Sequence, residues 1–103
     1  MEFLADMVTR VPDGTSASEV DDTKDREAIR ASELAEQGHL LRLWKPPVQA
    51  GEWRTFGLWR AKDEKQLRGL LTTLPLHVWM TVEVTPLLPH PNDPGTSVVK
   101  GDS

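Results

Sequence analysis

Lys24 and Glu27 stand three positions apart in a stretch that reads as a helix. It opens on Ser16-Ala17-Ser18-Glu19, the form of a capping box, in which a serine hydroxyl and a glutamate carboxylate satisfy free amide donors. It runs to about Gln37, where Gly38 supplies the left-handed residue that commonly follows a helix. On a wheel at about 100° per residue with Glu27 at zero, Leu34 falls at about −20°, Val20 at about +20° and Ala31 at about +40°. Lys24 follows at about +60°, Ala35 at about +80° and Ala28 at about +100°. Both charges thus lie inside the apolar arc, while Asp22, Asp25, Arg26, Arg30, Glu33 and Glu36 supply the solvent face. A carboxylate and an ammonium turned inward among alanines describe the wall of a pocket. Desolvation raises a carboxylate toward the useful range of a general base, and the ammonium can hold it or the substrate's developing negative charge. The pair suits proton abstraction beside a carbonyl, through an enolate-like intermediate that needs neither nucleophile nor cofactor. The competing reading is an i, i+3 ion pair worth about a few tenths of a kcal/mol.

Other chemistry has little to stand on. There is no cysteine, so thiolate metal sites, cysteine nucleophiles and disulfides are excluded together. His39, His77 and His90 lack the close pairing of a metal-binding helix, and no metal site is expected. No glycine-rich phosphate loop or Ser-His-Asp arrangement is signalled. The net charge of −4 argues against nucleic acid as a partner. No apolar run approaches the roughly 20 residues of a membrane span, so a soluble, cytoplasmic protein is expected. Trp44, Trp53, Trp59 and Trp79 read as core or interface aromatics, of which one or two could wall a small-ligand pocket.

The elements that must position the pair follow from periodicity. Glu2 to Val11 alternates as a strand and ends at Pro12-Asp13-Gly14. After the helix, strands fit His39 to Lys45 and Trp53 to Ala61, separated by Pro46-Pro47 and a turn containing Gly51. Asp63-Glu64-Lys65-Gln66 caps a second helix carrying Leu67, Leu70, Leu71 and Leu74, closed by Pro75. Val78 to Val84 reads as the last strand. The order β-α-β-β-α-β predicts an α+β, ferredoxin-like fold with both helices on one face of a four-stranded antiparallel sheet. Residues 1–88 form this domain, and 89–103, rich in proline and glycine, form a tail that is either disordered or packed on a neighbouring subunit. Leu4, Val8, Phe56 and the tryptophans at 53, 59 and 79 exceed what one sheet face can hold. The second face is therefore expected to meet another copy, giving a dimer-based oligomer.

These residues also resemble a family, the muconolactone Δ-isomerases, over about residues 2 to 93. The Lys-x-x-Glu of its first helix is matched by Lys24-Asp25-Arg26-Glu27, followed by Gly38 and by Leu43-Trp44-Lys45, where the family has Leu-Trp-Arg. A second signature is matched by Leu74-Pro75-Leu76-His77-Val78-Trp79-Met80, then Glu83-Val84, Leu87 and His90-Pro91. The resemblance implies a cofactor-independent isomerase of the β-ketoadipate branch of aromatic catabolism. Such enzymes convert muconolactone to 3-oxoadipate enol-lactone by a 1,3 proton shift. It also implies dimers assembled into larger rings, commonly decamers, with Glu27 as base and Lys24 as its electrostatic partner. Trp53, Arg54, Thr55, His77 and Trp79 are the expected substrate-binding residues. Two departures bear on the substrate: Leu40-Leu41 stands where the family has Trp-Arg, and Thr55 where it has Asn. Arg54 or Arg42 is expected to replace the missing cation, and a substituted or larger lactone, or another enolisable compound, is an open alternative substrate. A non-catalytic dimer that binds a small aromatic or lactone metabolite is the competing function, and a cofactor-free monooxygenase-like domain a third.

Overall fold

Phe3, Ala5, Met7 and Thr9 are buried in turn along β1 (Glu2–Thr9) while the residues between them stay half-buried, so this strand has one face on the core and one on the outside. The computed structural model describes residues 1–95. After β1 come α1 (Ala17–Glu36), β2 (Leu40–Trp44), β3 (Arg54–Arg60), α2 (Glu64–Leu71), a 3₁₀ turn (Pro75–Trp79) and β4 (Met80–Leu87). The strands form one antiparallel sheet in the order β2-β3-β1-β4, the ferredoxin-like arrangement expected from the sequence. Leu34 from α1 and Leu67 and Leu71 from α2 meet Phe3, Ala5, Met7 and Trp59 in a single core.

Both helices start as their sequences dictate. Ser16 Oγ accepts the Glu19 N–H at 3.1 Å, and Asp63 Oδ1 accepts the Gln66 N–H at 2.8 Å. Gly38 follows α1 at φ +83°, where a side chain would be strained. The second helix ends at Leu71, ahead of Pro75, and the Thr72 and Thr73 hydroxyls donate back to the carbonyls of Gly69 and Leu70 at 2.6 Å each. The final strand begins at Met80, not Val78. Leu74 is extended, as a residue before proline must be, and Pro75 seeds a 3₁₀ turn that absorbs Val78 and Trp79, leaving Val78 80% exposed.

Of the apolar residues expected to exceed one sheet face, Leu4, Val8 and Phe56 lie on the outer face with Leu58. Trp59 does not. It shares the parity of Thr55 and Gly57, is 1% exposed, and belongs to the helix-side core. Charged pairs overlie the outer face: Arg54 binds both oxygens of Asp6, Arg60 reaches Glu2 at 2.9 Å, and Arg42 and Arg54 stack over Trp44 and Phe56. No helix among the described residues is long and apolar enough to cross a membrane. The expectation for the tail falls partly on residues 96–103, which lie outside the described residues.

Candidate active site

Glu27 faces inward from α1 and is half-buried. Its Oε1 accepts the backbone N–H of Leu76 at 2.9 Å, a donor left free by the start of the 3₁₀ turn. Burial holds the Glu27 carboxyl above the ordinary glutamate value, against the opposing pull of the Leu76 N–H and the nearby His77. Lys24 does not pair with it. Among the described residues no ion pair joins the two; the Lys24 ammonium lies 5.5 Å from the centre of the Trp53 ring, a cation–π contact at the rim. The helix is turned so that Thr23 and Leu34 are buried, while Ala28 and Ala35, placed in the apolar arc by the ideal wheel, are exposed.

Between α1, the sheet and the Leu74–Leu76 segment lies a cavity of about 480 Å³. Met7, Ala31, Leu40, Leu43, Leu74, Leu76 and Met80 give it apolar walls; Trp53 and Trp59 add aromatic surface and Thr9 and Thr55 two hydroxyls. Its charged groups are Glu27, Lys24 and Lys45. Size and lining suit a small organic ligand held by a few polar groups. A second depression, of about 600 Å³, is larger but lies beyond Trp53 along Val8–Val11, Pro47–Val48 and Gly51–Arg54, and its Arg54 is already bound to Asp6. The smaller cavity holds the half-buried carboxylate and is the better candidate for chemistry.

Of the residues expected at the site, the cavity brings together Lys24, Glu27, Trp53 and Thr55. It excludes Arg54, which projects to the outer face, holds Asp6 by two hydrogen bonds and keeps that carboxyl below its ordinary value. Arg42 lies over Trp44 on the same outer face, so neither arginine replaces the missing cation. His77 and Trp79 sit in the 3₁₀ turn outside the lining: the Trp79 carbonyl accepts the Arg10 N–H at 2.7 Å, and His77 lies near Glu27 without entering the cavity. His39 and His90 are also elsewhere, bonded to the Arg60 carbonyl and the Asn92 N–H.

Lys45 was not among the expected site residues, because its place depends on how β2 pairs with β3. The β2–β3 register slips between Leu40 and Arg42, so Leu40 faces Trp59 while Leu43 faces Gly57. This bulge turns Leu40, Leu43 and Lys45 to the cavity together, which strict alternation along β2 forbids. Trp59, one of the tryptophans expected in the core or at an interface, lies in the core and also lines the cavity, on the same strand face as Thr55 four residues before it.

The chain is similar over most of its length to known proteins. The sequence model of the family described as muconolactone delta-isomerase matches residues 1–93. Muconolactone Delta-isomerase 1 of Acinetobacter lwoffii is 32% identical over 92 residues, covering 89% of this chain and 93% of the relative. The muconolactone Delta-isomerase of Cupriavidus pinatubonensis is also 32% identical over 92 residues, with 89% and 97% covered. A crystal structure of muconolactone isomerase at 3.3 Å resolution superposes with a TM-score of 0.78 at 26% identity, covering 91% of this chain and 95% of that one.

Proposed function

The chain belongs to the muconolactone Δ-isomerase family, and from that premise we propose that Glu27 carries the proton of the family's reaction. The activity is that of a cofactor-independent muconolactone Δ-isomerase in aromatic catabolism. In its substrate, the ring carbon bearing the carboxymethyl arm is acidified by conjugation through the double bond to the lactone carbonyl. The Glu27 carboxylate removes that proton, and the electron pair spreads to the carbonyl oxygen as a dienolate. The protonated carboxyl then delivers a proton to the carbon next to the carbonyl, which leaves the double bond shifted, the product an enol-lactone and Glu27 ionised again. One base serves both steps because the two carbons are 1,3-related on one small ring.

The observation that carries this assignment is a carboxylate half-buried in an apolar cavity and raised by that burial. Lys24, exposed at the rim, adds a positive field that favours the anionic intermediate without touching it. Lys45, the other cation of the cavity, receives the substrate's carboxylate in place of Arg42 or Arg54. The outer sheet face, with Leu4, Val8, Phe56 and Leu58 half-buried beneath charged pairs, is the surface on which a second copy would pack. Proton NMR of muconolactone mixed with the protein tests the activity: the ring double bond should migrate without any added metal or cofactor. Tight binding of the lactone with no migration would instead make the protein a metabolite-binding module.

A further inference from the structure

Trp59 is the largest fully buried side chain, at 1% exposure, and its Nε1 is the one buried side-chain polar atom among the described residues without a hydrogen-bond partner. Burying a donor unpaired is unfavourable, and phenylalanine would fill most of the same space without that cost. The residue beside it is a second unfavourable choice. Gly57 lies inside β3 with no positive φ to require glycine, and glycine weakens a strand. Its role is spatial: a Cβ there would stand 2.6 Å from Trp59 Nε1, 3.0 Å from Met7 Cε and 3.3 Å from Leu43 Cδ2. Gly57 therefore makes the room that the indole N–H occupies, and the tips of Met7 and Leu43 close on the same spot. Met7, Leu43 and Trp59 all line the cavity that holds Glu27.

We propose that the Trp59 indole N–H is the hydrogen-bond donor for the lactone carbonyl oxygen, reached when the substrate displaces the flexible tips of Met7 and Leu43. The proposal rests on the isomerase reading above and adds to it the group that receives the dienolate charge. Trp59 rises from the sheet floor and Glu27 descends from α1, so a ring between them has its base and its oxyanion donor on facing elements. An uncharged donor in apolar surroundings matches a neutral carbonyl better than the substrate's carboxylate, for which the lysines are suited. The bond strengthens as charge builds on the oxygen, so its effect falls on turnover more than on binding.

The test pairs Trp59→Phe, which removes the donor and keeps the aromatic ring, with the wild-type indole resonance. In the variant kcat should fall about 10²–10³-fold with KM changed far less, while the melting temperature holds or rises because an unpaired donor is gone. In wild-type protein the ¹H–¹⁵N signal missing from Trp59→Phe should move downfield on addition of the saturated γ-lactone bearing the same carboxymethyl arm, which cannot isomerise. Near wild-type kcat in the variant overturns the proposal. So does a loss of activity with an indole signal unmoved by the bound lactone, since Trp59 would then be acting only through packing. If the wild-type protein neither isomerises muconolactone nor binds the saturated lactone, the isomerase reading itself falls, and the Trp59 assignment with it.

Discussion

Glu27→Gln should separate catalysis from stability. The amide matches the carboxylate in shape and retains an oxygen for the Leu76 N–H, now 2.9 Å from Oε1, but cannot take a proton from carbon. A general base typically contributes about 10²–10⁴-fold, so turnover should fall by that factor, equivalent to ~3–6 kcal/mol on the barrier at about 1.4 kcal/mol per decade. Stability should go the other way. Burial places the folded-state pKa of Glu27 above its unfolded value, so its contribution to stability is greatest below the unfolded pKa and is lost as pH rises through the folded one. At neutral pH the wild-type protein thus carries the cost of an ionised, half-buried carboxylate that glutamine does not. Thermal melts of the two proteins between acidic and neutral pH, alongside NMR rates on muconolactone, read both quantities. The variant should melt at or above the wild type near neutrality, and its advantage should shrink below the ordinary glutamate value. A variant with more than a tenth of wild-type turnover, or one clearly less stable at neutral pH, would refute the reasoning.

Other outcomes follow from the same geometry. Lys45→Met should raise KM about 10–100-fold with little change in kcat, since a hydrogen bond to a charged group is worth about 1.5–3 kcal/mol and this one is made before and during reaction; steady-state kinetics decide it. Asp6→Asn should lower the melting temperature at neutral pH and leave kcat unchanged. Arg54 holds the Asp6 carboxyl below its ordinary value, so that contribution is present above the unfolded aspartate pKa and fades as pH falls toward the folded one, where the variant and wild-type melts should converge. Light scattering at micromolar concentration should show a dimer or larger assembly, and Leu58→Glu on the outer sheet face should dissociate it; a monomeric wild type would contradict that interface.

The elements were legible because local chemistry and global fold agree. Ser16 and Asp63 cap the helices they precede, Gly38 takes the left-handed turn, and Phe3, Ala5 and Met7 alternate into the core. Where they disagree, alternation misleads: Val78 and Trp79 continue the pattern of β4, but Pro75 winds them into a 3₁₀ turn. At the site, Lys24 and Glu27 were visible as charges on an inward arc, because helical geometry is local. Arg54 and Thr55 could not share a cavity, being adjacent on one strand, and parity alone would have removed Arg54 and admitted Trp59. Lys45 was beyond reach, since its direction depends on a bulge set by pairing between β2 and β3. Nor could the unpaired Trp59 Nε1 be foreseen, because it arises from Met7, Leu43 and Gly57 meeting across three strands.

The most direct measurement follows muconolactone in deuterated buffer by NMR with wild-type protein and Glu27→Gln side by side. The wild type should shift the ring double bond and deliver hydrogen or deuterium only to the carbon next to the lactone carbonyl, with kcat/KM rising with pH through an ionisation above the ordinary glutamate value. The variant should lose both processes to the same degree. Absence of migration and exchange in the wild type, or their survival without the Glu27 carboxylate, would contradict the account.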